Sequence, residues 1–151
     1  MSLGPQWTNE MVGKELVRAM RWAQATAGRV GPGSPRAVAI DFLLMPSERE
    51  EEGWERVVES DDDRPRRRIL TPAQITRLEQ TLWWPSTYLK RQPGPNTVLK
   101  VWLRCKVFRF PFDKACAARK WSRATAYRAR DRALAEIAVG LMRDRVEPSE
   151  E

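Results

Sequence analysis

Arg123, Ala124, Tyr127 and Arg128 are spaced to share one face near the start of a helix. The chemistry open to such a group is reading base edges. An arginine can bridge the O6 and N7 of a guanine, and an alanine methyl or a tyrosine ring can contact a thymine. Ser122 and Thr125 suit phosphate oxygens. Lys114, Lys120 and Arg132 join them as candidate DNA-contacting residues. Little else in the chain offers chemistry. It has no histidine and no glycine-rich phosphate loop. Catalysis would have to rest on carboxylate, lysine, cysteine or metal. The carboxylates gather in the least regular part of the chain, where preorganisation is poor. We therefore expect no enzyme and no cofactor.

Charge supports the same reading. The chain carries +7. Residues 104–132 hold ten basic residues (Arg104, Lys106, Arg109, Lys114, Arg119, Lys120, Arg123, Arg128, Arg130 and Arg132) against Asp113 and Asp131. That stretch alone exceeds the net charge of the whole, and the remainder is slightly negative. Positive charge concentrated in this way favours a polyanionic partner over a merely solvated helix face.

The elements that must position these residues can be read around them. Residues 112–120 form a short helix in which Phe112, Ala115, Cys116 and about Ala118 are apolar or small. Small residues let two helices cross closely. A turn follows, and Ser122 caps a second helix running to about Arg143. Ala126 should face the first helix, and Ala133, Leu134, Ile137 and Ala138 continue the apolar stripe. Two short helices with arginine on the outer face of the second have the layout of a helix-turn-helix. Lys120 stands where glycine is usual, at a turn position often left-handed, which costs about 1 kcal/mol for a residue with a Cβ. Arg130 stands where an apolar residue is usual. Either the turn differs, or Arg130 lies at the edge and reaches a phosphate.

Upstream, Thr8 and Glu10 open a helix with Val12, Leu16, Ala19, Met20 and Ala23 on one face. Residues 28–35 are breaker-rich and predict a loop; 37–45 lean to helix. From 46 to about 70, opposed blocks of acids and arginines suggest a solvated, mobile segment in which Trp54, Val57 and Val58 could pin a short helix. Its acids lack the spacing and glycine of a calcium loop, so no metal site is expected. Thr71-Pro72-Ala73-Gln74 predicts a capping box, with Ile75, Leu78 and Leu82 facing inward until Trp83-Trp84-Pro85 ends the helix. Residues 92–96 read as a loop, with Asn96 capping a helix to about Phe108. Val98, Val101, Trp102 and Cys105 share one side of it, and Pro111 breaks it.

The fold class expected is all-α: a small helical domain ending in a helix-turn-helix with a long recognition helix. Its parts are a helical region over 1–95, the DNA-binding region over 96–146 and an acidic tail over 147–151. Of the seven tryptophans, Trp22, Trp83, Trp84 and Trp102 read as core. Cys105 and Cys116 read as buried thiols, since two cysteines are too few for a disulfide framework or a four-ligand zinc site. No apolar run approaches the ~18–20 residues that span a membrane. The start, MSLGPQW, has no signal core, so a cytoplasmic location is expected.

The run SRATAYR and the alanine-rich helix behind it resemble the C-terminal helix-turn-helix of an uncharacterised family of short alphaproteobacterial phage and prophage proteins. There the turn reads roughly G-[VI]-S-R-A-T-[AV]-H/Y-R. The opening WTNEMVGKEL resembles that family's N-terminal helix start. The unit is also similar to the sigma-factor region that reads the −35 promoter element. The resemblance covers about half the chain, at its two ends, and leaves 36–68 unmatched. It implies a sequence-specific double-stranded DNA-binding protein, a transcriptional regulator. A small terminase subunit or an adaptor binding RNA polymerase would be built on the same unit. A homodimer is expected, because palindromic sites favour two-fold proteins. Trp83, Trp84 and Tyr88 could supply that interface or belong to the core.

Overall fold

The computed structural model describes residues 6–26 and 69–148. The expected loop at 28–35, the helix at 37–45, nearly all of the charged segment at 46–70 and the last three residues of the acidic tail lie outside them. Six helices and no strand occur among the described residues. They are α1 (Asn9–Ala25), α2 (Pro72–Leu82), α3 (Trp84–Tyr88), α4 (Pro93–Phe108), α5 (Phe112–Ala118) and α6 (Arg123–Arg143). None is long and apolar enough to cross a membrane.

Thr8 caps α1 as expected, its Oγ1 accepting from the Met11 amide at 3.2 Å. Val12, Leu16, Ala19, Met20 and Ala23 are all buried. They press against α2, α4 and α6, so the first helix is held by the last. Close approach is possible because Gly13 faces the Trp102 ring: a Cβ there would sit 3.2 Å from Cη2. At α2 the capping box forms in full. Thr71 Oγ1 accepts from the Gln74 amide at 3.2 Å, and Gln74 Oε1 accepts from the Thr71 amide at 2.9 Å. Leu78 and Leu82 are buried, while Ile75 is only half-buried.

Three expectations about 83–96 change. α2 does end at Leu82, but a further short helix, α3, starts at once at Trp84, with Pro85 in its first turn, where no N–H is needed from proline. Trp83, in the link between the two helices, falls outside either helical face and is 39% exposed, whereas Trp84 is core. α4 begins at Pro93, with Gln92 in the N-cap position but making no side-chain capping bond, and Asn96 is already inside it, its amide donating to Gln92 O at 2.9 Å. Pro93 and Pro95 fit this first turn for the same reason as Pro85, so a proline-glycine run that reads as loop is helix.

α4 and α6 form the central pair, with Leu99, Leu103, Ile137 and Leu141 fully buried. α3 lies against the far end of α6, where Tyr88 lies across Gly140 and its hydroxyl donates to Asp144 Oδ2 at 2.7 Å. Trp7 Nε1 donates to Val146 O at 2.7 Å, and its ring meets Trp84 edge-on at 5.4 Å. The Arg77 guanidinium stands over both indoles, at 5.7 and 5.6 Å. Both cysteines are buried thiols.

Candidate nucleic-acid interface

α4, α5 and α6 are joined by two tight turns of the same kind. Each begins with a basic residue in the left-handed region where glycine is usual: Arg109 (φ 57°) after α4 and Lys120 (φ 59°) after α5. The carbonyl of Cys116 accepts from the Trp121 amide at 2.9 Å, and that of Ala117 from Lys120 at 3.1 Å. These paired bonds close α5 and fix where α6 starts. A cation suits a position beside the carbonyl end of a helix, which offsets part of the strain.

Ser122 occupies the N-cap position of α6, but its hydroxyl makes no capping hydrogen bond. No acid lies in the first turn of α6 either. The helix therefore opens with exposed amides and an unengaged hydroxyl, a combination that attracts anions. Phe112, Ala115 and Cys116 are buried beneath it and Ala126 packs inward, as expected; Ala118 is exposed. Burial, then the nearby Asp113 carboxylate, push the Cys116 thiol up from its ordinary value, so it stays a thiol.

The candidate contact residues divide into two groups. Ala124, Thr125, Arg128 and Arg132 are exposed and fall on the side of α6 turned away from the buried Ala126, Ala133 and Ile137. Lys114 on α5 and Lys120 in the turn are exposed as well. Arg123 and Tyr127, one turn apart, instead lean toward α5 and meet one carboxylate. Arg123 Nη1 donates to Asp113 Oδ2 at 3.2 Å, and Tyr127 OH donates to Asp113 Oδ1 at 3.1 Å. Tyr127 is half-buried and its ring stands edge-on to Phe112 at 5.1 Å. Burial first, then the Asp113 hydrogen bond, push its hydroxyl above the ordinary value, so it is a neutral donor.

Arg130 does not extend outward toward a phosphate. Its guanidinium lies 4.8 Å from the Tyr127 ring and 5.2 Å from the Trp102 ring, and Nη2 reaches Asp131 at 2.7 Å. It replaces the usual apolar residue by stacking its flat cation between two aromatic faces. Arg104 is also withdrawn, at 2% exposure inside α4. The basic stretch thus shows the solvent a smaller set of cations than its composition implies. Asp113, which organises Arg123 and Tyr127, was missed by sequence reasoning. Its only sequence signal is that it is one of two acids in an otherwise basic run.

No protein-family model, no curated protein and no solved structure matches the chain.

Proposed function

We propose that this chain is a sequence-specific double-stranded DNA-binding protein of phage or prophage type, a transcriptional regulator in which α5 and α6 work as a helix-turn-helix. The observation that carries the reading is the outer side of α6. Ala124, Thr125, Arg128 and Arg132 are exposed on one side of a long helix whose other side is core. Lys114, Lys120 and the open N-terminus of α6 add phosphate-seeking groups beside them. An α-helix fits the major groove, and a recognition helix reads bases from its N-terminal residues.

The test is selection from pooled random duplexes, followed by affinity measurements at about 50 and about 200 mM salt. Three cations on phosphates, Lys114, Lys120 and Arg132, would give a salt slope of about −2.7 and a loss of about fortyfold across that range, and Arg128 would add about 0.9 to the slope if it too meets a phosphate. Arg128→Ala weakening the selected duplex by about 1–3 kcal/mol, and random duplexes less, marks a base contact. Equal weakening on both marks a phosphate contact. No binding to any duplex at the lower salt refutes the proposal.

A further inference from the structure

We infer that Asp113 is a specificity-determining positioning residue: it holds Arg123 and Tyr127 in one fixed arrangement and discourages Arg123 from pairing with phosphate anywhere on DNA. The inference rests on the DNA-binding reading above and assigns a role within the same surface.

The geometry supplies an unbroken chain of supports from the core to the surface. Trp102 is buried in α4; Arg130 stacks on it at 5.2 Å and on Tyr127 at 4.8 Å. Phe112 also braces the Tyr127 ring, edge-on at 5.1 Å. The Tyr127 hydroxyl then fixes one carboxylate oxygen of Asp113, and the second oxygen takes Arg123. Each oxygen has its own partner, so the carboxylate cannot turn to favour one without releasing the other. A long arginine at the first position of a helix would otherwise sample many rotamers, and ordering it on binding would oppose association.

The contact with Arg123 uses Nη1 alone. The Nε–Nη2 edge stays open, and that edge holds two parallel donors of the kind a guanine accepts at O6 and N7. At a matching base Arg123 can make this contact without leaving Asp113. At a phosphate, the negative Asp113 beside the guanidinium repels the backbone and competes for the same cation. The pair is exposed, with side chains 71% and 50% accessible, so it can be broken and it is screened by salt. Its effect is therefore a bias between targets, more than a contribution to stability.

Asp113→Asn in the full chain tests this, with the selected duplex and a scrambled duplex of equal composition as probes. We expect the scrambled duplex to bind several-fold tighter, with a salt slope steeper by about one, because one more cation is released to phosphate. Discrimination between the duplexes should fall about tenfold, within what one bidentate base contact supplies. Asp113→Glu should restore much of it by returning the carboxylate. Asp113 also lies in the first turn of α5, where an acid suits the helix dipole. A purely structural role there would lower the melting temperature and leave the discrimination of folded protein intact, and that result overturns the inference while the DNA reading stands. If the wild-type chain does not distinguish the two duplexes, both fail.

Discussion

Gly140→Ala sets two forces against each other at one position. Glycine in a helix interior is about 1 kcal/mol less favourable than alanine, so propensity alone predicts a more stable protein. The surroundings of Gly140 predict the reverse. A Cβ built there falls 2.6 Å from Tyr88 Cε1 and 2.9 Å from Cγ, and closer still to Cδ1. The obstacle is an aromatic ring, and its hydroxyl is tied to Asp144 one turn further along α6. Moving the ring aside therefore strains that hydrogen bond as well as the packing of α3 on α6. Overpacking of this kind costs about 1–3 kcal/mol, and loss of the exposed Tyr88–Asp144 hydrogen bond adds about 0.5–1 kcal/mol. After the gain in propensity, a net loss of about 0.5–3 kcal/mol remains, or roughly 2–10 °C in Tm for a chain of this size. Urea and thermal unfolding would measure it. Gly94→Ala, with nothing beyond its chain neighbours near its Cβ, is the control; Pro95 opposes a helical Cβ before it, so the change should stay within about 1 kcal/mol of zero. In a Tyr88→Ala background the added methyl should no longer destabilise. A Tm that rises on Gly140→Ala in the wild-type background would refute the reasoning, because propensity would then have outweighed the contact.

Thr71→Ala removes one half of the capping box and should lower unfolding free energy by about 1 kcal/mol, with Thr71→Ser restoring it in the same urea titration. The Tyr88 hydroxyl is pushed up to about 12 by burial and then by Asp144. An unfolded tyrosine ionises near 10, so this contribution is complete below about pH 10 and is lost as pH rises toward about 12. Tyr88→Phe should flatten part of the alkaline decline in Tm, leaving that of Tyr127. Lys120→Gly relieves about 1 kcal/mol of left-handed strain while raising the freedom of the unfolded chain, so Tm should hold or rise slightly. If Lys120 meets a phosphate, the same variant lowers the salt slope by about one.

The parts legible in the sequence are those fixed by neighbours in the chain. Thr71, Pro72 and Gln74 determine a helix start among themselves, and the spacing of Val12, Leu16, Ala19 and Met20 defines a face wherever the partner lies. The left-handed Lys120 was legible because the turn demands that conformation whatever residue fills it. Pro93 and Pro95 misled because proline breaks a helix everywhere except its first turn, and only the surrounding packing decides which case holds. The outward candidates Ala124, Thr125, Arg128 and Arg132 follow from helical period alone. The inward lean of Arg123 and Tyr127 does not. It depends on Asp113 arriving from another helix, ten and fourteen positions earlier, and on Arg130 stacking between rings that no local pattern brings together. Burial of Arg104 is equally invisible locally, since an arginine among apolar residues reads as an exposed edge. Gly140 carried a weak signal, as a lone glycine inside a helical run.

The hydrogen bond from Trp7 to Val146 joins residues 139 positions apart. At synthesis rates of about 5–20 residues per second, Trp7 precedes its acceptor by on the order of ten seconds. During that interval Val12, Leu16, Ala19 and Met20 acquire their covering surfaces in turn, α2 first, then α4 and finally α6. α1 can rest on α2 early, but its apolar face is fully covered only when α6 has emerged. In refolding from denaturant the whole chain is present, and sequence separation alone predicts that the Trp7–Val146 contact forms late, with pulse-labelled amide exchange showing protection around Val146 after that of the helix interiors.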